Sequence, residues 1–233
     1  MSPRGLLVVG TDTGVGKTTL SRGLLRLAHR RSLRLVPYKP VETGCLPHAH
    51  DARALCEAAA LSGLSPDQVC PFQFPDPVAP SVAARLVGAT PPSHDLILAH
   101  GQQLRARGDA LLVESAGGLL TPYNPNLTSA SLARLFDIDI LLVGANRLGV
   151  INHAALALAE IQRRHLPLAG LVLVNLSARV SPDLAHNASE ITALTGIVPL
   201  GTLRHCDTTD TDQLADAVNE DIALETMFDG ALA

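Results

Sequence analysis

The chain has 233 residues, of which 47% are hydrophobic and 17% charged, and its formal net charge at pH 7 is -4. This length fits a single domain over residues 1–233 with a substantial core. The slight acidity gives no electrostatic reason to expect nucleic acid as the main partner. The four cysteines are scattered without a C-x-x-C pair, so we expect neither a zinc site nor a disulfide framework. No signal peptide or apolar stretch of membrane-spanning length is recognisable, and we expect a cytoplasmic protein without a membrane partner.

Apolar runs typical of strands alternate with helical patterns along most of the chain. Several predicted strands are apolar on both faces, as expected when helices cover both sides of a sheet. We therefore predict a doubly wound α/β fold with a mostly parallel sheet and with ligands at the carboxyl ends of the strands. In chain order, we predict a strand over 6–9, a helix opened by residues 16–18, a strand over 33–38, a helix over 51–61, a proline-rich loop with a short helical piece over 66–92, a helix over 93–107, strands over 110–114 and 138–144, a helix over 152–165, a strand over 169–175, a helix over 181–195, a strand over 197–200 and a helix over 212–225.

The segment Gly10-Thr11-Asp12-Thr13-Gly14-Val15-Gly16-Lys17-Thr18 joins the first predicted strand to the first predicted helix. In such a turn, backbone N–H groups and the helix N-terminus surround a phosphate, Lys17 reaches the outer phosphates, and Thr18 offers a hydroxyl to Mg²⁺. The strict pattern has its first glycine where this chain has Thr11, so the loop is a variant. It predicts a nucleoside triphosphate site and a fold of the P-loop NTPase type. The candidate nucleotide-binding residues of this loop are Thr13, Gly14, Val15, Gly16, Lys17, Thr18 and Thr19.

Three polar residues, two at strand ends and one at a helix start, are candidates for chemistry, each with a structural alternative. Pro40 keeps Lys39 extended at the sheet edge, where the ammonium is placed to stabilise charge in phosphoryl transfer, unless it is only solvated. Glu114 closes a buried strand and is a natural Mg²⁺ ligand, or else it caps a loop through backbone N–H groups. Asp51 offers a second carboxylate at a helix start, where aspartate is also a good N-cap.

Taken together, these segments resemble the dethiobiotin synthase family. The resemblance implies ATP- and Mg²⁺-dependent carboxylation and ring closure of 7,8-diaminononanoate with CO₂ to dethiobiotin in biotin biosynthesis. It implies a route through a carbamate and a carbamic–phosphoric anhydride. The matching segments are the phosphate loop, Tyr38-Lys39-Pro40-Val41 with Thr43-Gly44, Asp51, Val113-Glu114 with Ala116-Gly117-Gly118, Thr121-Pro122 and Leu148-Gly149-Val150-Ile151-Asn152-His153.

The resemblance also implies residue roles. Lys17 and Lys39 flank the transferred phosphoryl group as catalytic residues, and Thr43 hydrogen-bonds the carbamate end of the substrate. Family members are homodimers in which each subunit contributes to its neighbour's substrate site. Mg²⁺ is bound by Thr18, Asp51 and Glu114. The nucleotide is contacted by Glu114, Ser115, Ala116, Gly117 and Asn175, of which Asn175 contacts the adenine. The distal carboxylate of the substrate is bound by the helix-opening turn of Gly149, Val150, Ile151 and Asn152. That turn is otherwise an ordinary helix start with Asn152 near the cap.

Some residues depart from the family pattern, and they leave nucleotide-base selectivity open. Leu176 follows Asn175 where members have an aspartate, and Leu203-Arg204-His205 lacks a proline often found near the adenine. Gly14 stands where some members have an acidic residue, and Ser115 replaces a usual glycine. The alternative function is a nucleotide switch of the partition or septum-positioning type, although those ATPases usually carry an additional lysine at the position of Thr11. Amidating ATPases of corrin carboxylates usually have an appended glutaminase domain, for which this chain is too short.

Overall fold

A computed structural model describes residues 5–178, 181–207, 209–225 and 227. The strands are β1 (Gly5–Gly10), β2 (Leu35–Tyr38), β3 (Val41–Thr43), β4 (Phe72–Phe74), β5 (Ala110–Gly118), β6 (Pro122–Asn124), β7 (Leu127–Thr128), β8 (Asp139–Ala145), β9 (Leu168–Val174) and β10 (Gly201–Leu203). The helices are α1 (Lys17–Arg30), α2 (His50–Ala59), α3 (Pro66–Val69), α4 (Pro80–Leu86), α5 (His94–Arg105), α6 (Ser131–Phe136), α7 (Val150–Arg163), α8 (Pro182–Thr195) and α9 (Thr211–Asp221).

The main sheet has the strand order β10-β9-β8-β1-β5-β2, and every neighbouring pair in it is parallel. Leu6 and Val8 of β1 belong to one buried core, whereas Leu7 and Val9 belong to a second core on the opposite face. Both faces of the strand are therefore covered, which explains why its sequence is apolar throughout. This arrangement confirms the predicted doubly wound, mostly parallel sheet.

The order in which the strands join the sheet places a crevice at the end of β1. From β1 the chain runs to β2 and back to β5 on one side, and it then continues with β8, β9 and β10 on the other side. Ligands of open α/β sheets bind where the strand order reverses in this way, outside the carboxyl ends of the strands. The segment that follows Gly10 lies at this point, so the topology positions the phosphate loop in the crevice.

The segment over residues 66–92 has more structure than the predicted loop with one short helical piece. It contains α3, β4 and α4, and β4 pairs in parallel with β3 outside the main sheet. The β6–β7 pair and α6 were likewise absent from the prediction. These elements are two to seven residues long, too short for a hydrophobic period to reveal them.

The predicted last strand over residues 197–200 is wrong, because the ladder with β9 is formed by β10 instead. Pro199 has no N–H to donate to a ladder. Leu200 contributes only a single hydrogen bond to the edge, from its N–H to the carbonyl of Leu171. The closing helix ends at Asp221 rather than at residue 225, since Ile222 forms a bridge with Gly201. Within the described ranges, no helix has the length and apolar character needed to cross a membrane.

Candidate active site

The phosphate loop lies between β1 and α1, and its last glycine is required by the backbone. Gly16 is the N-cap of α1 with φ 94°, in the left-handed region that favours glycine. A Cβ atom at Gly16 would also lie 2.7 Å from Cγ1 of Val174 at the end of β9. In the described part of the chain no side chain caps α1, and its first turn contains no acidic residue. The N–H groups of that turn are therefore left for an anion.

A cavity of about 630 Å³, here called the phosphate cavity, opens above this loop. It brings together predicted residues that lie far apart in the sequence. Residues 77–80, which the sequence did not suggest for the site, form one of its walls. The predicted residues that line it are Thr13, Gly14, Val15, Gly16, Lys17, Thr18, Thr19, Lys39, Thr43, Asp51, Ser115, Ala116 and Gly117.

Lys39 is the centre of a buried ionic cluster beside this cavity. Its Nζ donates a hydrogen bond of 2.7 Å to Oε1 of Glu114 and lies 2.9 Å from Oδ2 of Asp51. Thr18 Oγ1 donates to the same Glu114 oxygen at 2.9 Å. Lys39 is only 4% exposed and Glu114 is fully buried, so the lysine is paired and not merely solvated. Glu114 accepts from side chains, which contradicts the alternative that it caps a loop through backbone N–H groups.

Lys39 and Asp51 stabilise each other's charged forms. Burial lowers the pKa of Lys39, but the carboxylates of Glu114 and Asp51 outweigh burial and hold that pKa well above its ordinary value. Burial likewise raises the pKa of Asp51, but the Lys39 ammonium outweighs burial and the net pKa is below its ordinary value. The Lys39 ammonium and the Asp51 carboxylate are therefore charged together at neutral pH.

The oxygen atoms around Thr18 fit a Mg²⁺ ion. Oε2 of Glu114 is buried and has no hydrogen-bond partner among the described residues, so this carboxylate keeps an unused acceptor. The Thr18 hydroxyl and the Asp51 carboxylate lie in the same cluster. Carboxylate and hydroxyl oxygens are the hard ligands that Mg²⁺ takes, usually together with substrate phosphates and water.

The chain has only two lysines, Lys17 and Lys39. Both lie in this site. Lys17 is 7% exposed, and its Nζ lies 3.3 Å from the carbonyl oxygen of Asp12. Burial lowers the pKa of Lys17, and the nearby Glu114 carboxylate only partly opposes this effect. Lys17 and Lys39 thus line the same cavity, and their pKa values are shifted in opposite directions.

Glu42 is a structural part of the site that the sequence reasoning missed. Its Oε1 accepts the N–H of Asp51 and its Oε2 accepts the N–H of Ala52, both at 2.9 Å. The N-cap of α2 is Ala49, which has no side chain to cap the helix. Asp51 is therefore not the N-cap, and Glu42 satisfies the first turn from β3. The signal that could have revealed it is an acidic residue three positions after Lys39, next to a helix without a capping side chain.

A second cavity of about 580 Å³, here called the amide cavity, lies at the carboxyl ends of β8 and β9. Asn175 lines it, as does Asn146, and Leu176 lines both this cavity and the phosphate cavity. Arg204 does not line it, because its guanidinium pairs with Glu220 and Asp221. The two cavities therefore meet at Leu176, beside Asn175.

The turn that opens α7 lies apart from the rest of the predicted substrate site. Gly149 is the N-cap with φ 96°, and in the described structure no side chain caps this helix, so Asn152 does not act as a cap. The N–H of Val150 is already donated to the Arg147 carbonyl, whereas the N–H groups of Ile151 and Asn152 make no hydrogen bond to another described residue. None of residues 149–152 lines the phosphate cavity with Thr43.

The chain is similar to a family model and to curated proteins along most of its length. A family model described as an AAA domain matches residues 4–212. The ATP-dependent dethiobiotin synthetase BioD of Anaeromyxobacter sp. (strain Fw109-5) is 41% identical over 204 residues, which cover 87% of this chain and 90% of that protein. The protein of the same name from Bacillus subtilis (strain 168) is 32% identical over 199 residues, covering 85% of this chain and 86% of the relative.

Among solved structures, a ParA family ATPase from Chlorobium tepidum TLS superposes with a TM-score of 0.56 over 100% of this chain and 98% of that chain. Its sequence identity is only 12%, so this likeness shows the fold alone. It confirms that the sheet is of the P-loop NTPase type.

Proposed function

Because the chain belongs to the ATP-dependent dethiobiotin synthetase family, we propose that its phosphate cavity is where the ring of dethiobiotin is closed. The chain is an ATP- and Mg²⁺-dependent ligase of biotin biosynthesis. The observation that carries the assignment to this cavity is the buried cluster of Lys39, Glu114 and Asp51 against Thr18. It places a fixed cation beside the loop that cradles phosphates.

The reaction needs positioned charge more than proton transfer. One amine of 7,8-diaminononanoate takes up CO₂ and loses a proton to become a carbamate, whose oxygen attacks the γ-phosphorus of ATP and releases ADP. The second amine then attacks the carbonyl carbon of the carbamic–phosphoric anhydride, and phosphate leaves with the bridging oxygen and takes up the proton that this amine loses. Lys17 and Lys39 neutralise the transferred group and align it, which is the main demand of phosphoryl transfer on a protein. A carbamate is already anionic, so no general base is required for its attack.

Thr18, Asp51 and Glu114 would hold Mg²⁺, which when bound neutralises charge on the phosphates. Thr43 lines the phosphate cavity at the end of β3. We infer that its hydroxyl hydrogen-bonds the carbamate end of the substrate. The backbone N–H groups around residues 13–19 would bind the phosphates, and Ser115, Ala116 and Gly117 line the same cavity.

The separation of the α7 turn from Thr43 supports a homodimer. The substrate's distal carboxylate would be bound by the free N–H groups of Ile151 and Asn152 of one subunit, and its reacting amines by the phosphate cavity of the other. Leu148, Leu120 and Leu156 are 87%, 49% and 64% exposed. The last two line a cavity of about 460 Å³ beside α7. Exposed apolar side chains grouped in this way are typical of an interface.

The homodimer is tested with Leu156→Glu, which places a charge in the proposed interface. We expect sedimentation to show monomers and the Michaelis constant for the diamine to rise at least tenfold, because a buried unpaired charge opposes association. Leu194→Glu is the matched control, since Leu194 of α8 is 65% exposed and lies on another helix. A dimer that survives Leu156→Glu would place the interface elsewhere.

The function is tested by measuring phosphate release from MgATP with bicarbonate, with and without 7,8-diaminononanoate, while mass spectrometry follows dethiobiotin. We expect phosphate release to depend on the diamine and to equal dethiobiotin in amount. Hydrolysis that is indifferent to the diamine would instead support the nucleotide-switch alternative and a macromolecular partner.

We place the reaction in the cytoplasm, where ATP is supplied, with small-molecule substrates and neither nucleic acid nor a membrane as partner. The free thiols Cys45, Cys56, Cys70 and Cys206 are compatible with a reducing compartment. Fractionation of the producing cells, with the protein followed by immunoblotting, tests this placement.

A further inference from the structure

Three asparagines form a chain of amide hydrogen bonds behind the amide cavity. Asn187 Nδ2 donates to Asn146 Oδ1 at 2.8 Å, and Asn146 Nδ2 donates to Asn175 Oδ1 at 2.9 Å. Asn146 is 6% exposed and Asn187 is 3% exposed, while Asn175 is half-buried at the cavity wall. This series of hydrogen bonds therefore runs from the protein interior to the surface of the cavity.

Two backbone carbonyls fix the direction of every bond in this chain. Asn146 Nδ2 also donates to the carbonyl of Leu184 at 3.3 Å, and Asn187 Nδ2 also approaches the carbonyl of Arg147 at 3.5 Å. A carbonyl oxygen only accepts, so each of these two side chains must turn its NH₂ group toward it. With both hydrogens of Asn146 Nδ2 engaged, Asn175 must present its oxygen to Asn146.

The consequence for Asn175 is that its NH₂ group is the end left for a ligand. Asn175 Nδ2 makes no hydrogen bond with any residue that the structure describes. The neighbouring Leu176 has no hydrogen-bonding side chain, so of this pair only Asn175 offers a polar side-chain contact to a bound base.

We propose that Asn146 and Asn187 are positioning residues that orient the Asn175 carboxamide so that its NH₂ group donates to a ring nitrogen of adenine. This inference rests on the proposed function, and it takes the amide cavity, which meets the phosphate cavity at Leu176, as the place of the adenine base. It assigns base selectivity to two buried amides that act through Asn175. A site that must hydrogen-bond its ligand rejects analogues that lack the partner group, because a polar group is then left unpaired.

The test compares the equilibrium binding of ATP with that of 1-deaza-, 3-deaza- and 7-deaza-ATP, each of which has C–H in place of one ring nitrogen. For the wild-type protein we expect one of the three analogues to bind about tenfold more weakly than ATP, the loss of a single hydrogen bond to a ligand. The ratio of the dissociation constant of this analogue to that of ATP is the measured quantity. In Asn175→Ala this ratio should fall to about one, because the donor is absent.

Asn146→Asp is the decisive variant. A carboxylate cannot donate, so the Asn175 amide turns its NH₂ group toward the new carboxylate and presents oxygen to the base. We expect the ratio for the discriminating analogue to fall from about tenfold to about one. Any repulsion of the triphosphate by the new charge weakens all four nucleotides alike and cancels in the ratio. Asn219→Asp is the matched control, since Asn219 of α9 accepts from Arg31 and is distant from the cavity.

A ratio that stays near tenfold in folded Asn146→Asp would overturn the inference, and so would equal binding of all four nucleotides to the wild-type protein. If thermal unfolding shows that this variant does not fold, the neutral Asn146→Ala takes its place with the same criterion, because it also removes the donor. Dethiobiotin formation by the wild-type protein is measured separately. If dethiobiotin forms while the ratios do not move, the inference fails and the proposed function stands.

Discussion

The phosphate cavity and the amide cavity are built from opposite kinds of side chain. The first is lined and supported by charges, with Lys39 between Glu114 and Asp51. Beneath the second lies a series of hydrogen-bonded neutral amides, of which Asn146 and Asn187 are buried to about the same degree as Lys39. Both sets join the ends of different strands and helices, and both are hydrogen-bonded.

The physical cost of disturbing the two sets differs. Removing one member of a buried ion pair leaves an uncompensated charge, which costs about 3–5 kcal/mol. Removing one neutral amide leaves an unpaired polar group, which costs about 1–3 kcal/mol. Under the proposed function, the phosphate cavity determines whether phosphoryl transfer occurs, whereas the amide cavity determines which nucleotide is bound.

The largest expected effect comes from Lys39→Ala. Because the ammonium stabilises charge in the transferred group, we expect the rate of dethiobiotin formation to fall by about 10²–10³ with little change in nucleotide affinity. Stability should also fall, since Glu114 is then buried and unpaired. Arg204→Ala is the control, because neither Arg204 nor its salt-bridge partners Glu220 and Asp221 line the phosphate cavity.

The double variant Lys39→Ala/Glu114→Gln separates the two effects of this substitution. Neutralising the carboxylate removes the buried charge, so thermal stability should recover relative to Lys39→Ala alone. Turnover should not recover. Recovery of both would reduce Lys39 to a structural counterion of Glu114.

A smaller effect is expected from Glu42→Ala, which disturbs the phosphate cavity indirectly, through the first turn of α2. Loss of both bonds to the first turn of α2 should cost about 1–2 kcal/mol of stability and displace Asp51. We expect the Mg²⁺ concentration for half-maximal nucleotide binding to rise about tenfold. Glu42→Gln, which keeps one acceptor oxygen, should lie between the variant and the wild type.

Ser93→Ala is the matched control for Glu42→Ala. The Ser93 hydroxyl caps α5 by accepting the N–H of Leu96, and α5 contributes nothing to either cavity. Its loss should lower stability by a similar amount and leave the Mg²⁺ requirement unchanged. An equal rise in both variants would mean that general destabilisation, and not the position of Asp51, sets the requirement.

The smallest effect concerns the difference between the two lysines. An amine reacts with an acylating reagent in its neutral form, and burial lowers the pKa of Lys17 while the carboxylates hold that of Lys39 well above normal. At pH 8 a larger fraction of Lys17 is neutral, so mass spectrometry should detect acetylation at Lys17 before Lys39, and MgATP should slow it. Equal labelling at both lysines would contradict these opposite shifts.

The main features of the fold follow from the sequence where elements are long and fully buried. The β1 strand and the glycine-rich loop after it were predictable, because an apolar strand followed by Gly-Lys-Thr permits few other structures. The strand at residues 197–200 was misplaced, since local apolarity does not reveal which N–H groups reach β9. Between residues 66 and 92, β4 depends on tertiary pairing with β3, and α3, β4 and α4 are too short to leave a periodic pattern.

The site was predictable to a similar extent. Lys39, Asp51 and Glu114 were candidates with a structural alternative each, and the family resemblance named all three; the structure brings their side chains together. Glu42 and Asn146 were not identified, because their partners are backbone and amide groups from distant segments. Local motifs identify groups that contact ligands, whereas groups that orient them depend on the assembled fold.

The most direct test of the central claim is the fate of oxygen from bicarbonate labelled with oxygen-18, measured in the phosphate released during diamine-dependent turnover. If the charged cavity transfers the phosphoryl group to a carbamate, the bridging oxygen comes from CO₂ and leaves with phosphate, so each phosphate should carry one labelled oxygen. Unlabelled phosphate, released by attack of water on ATP, would contradict this mechanism and favour a nucleotide switch.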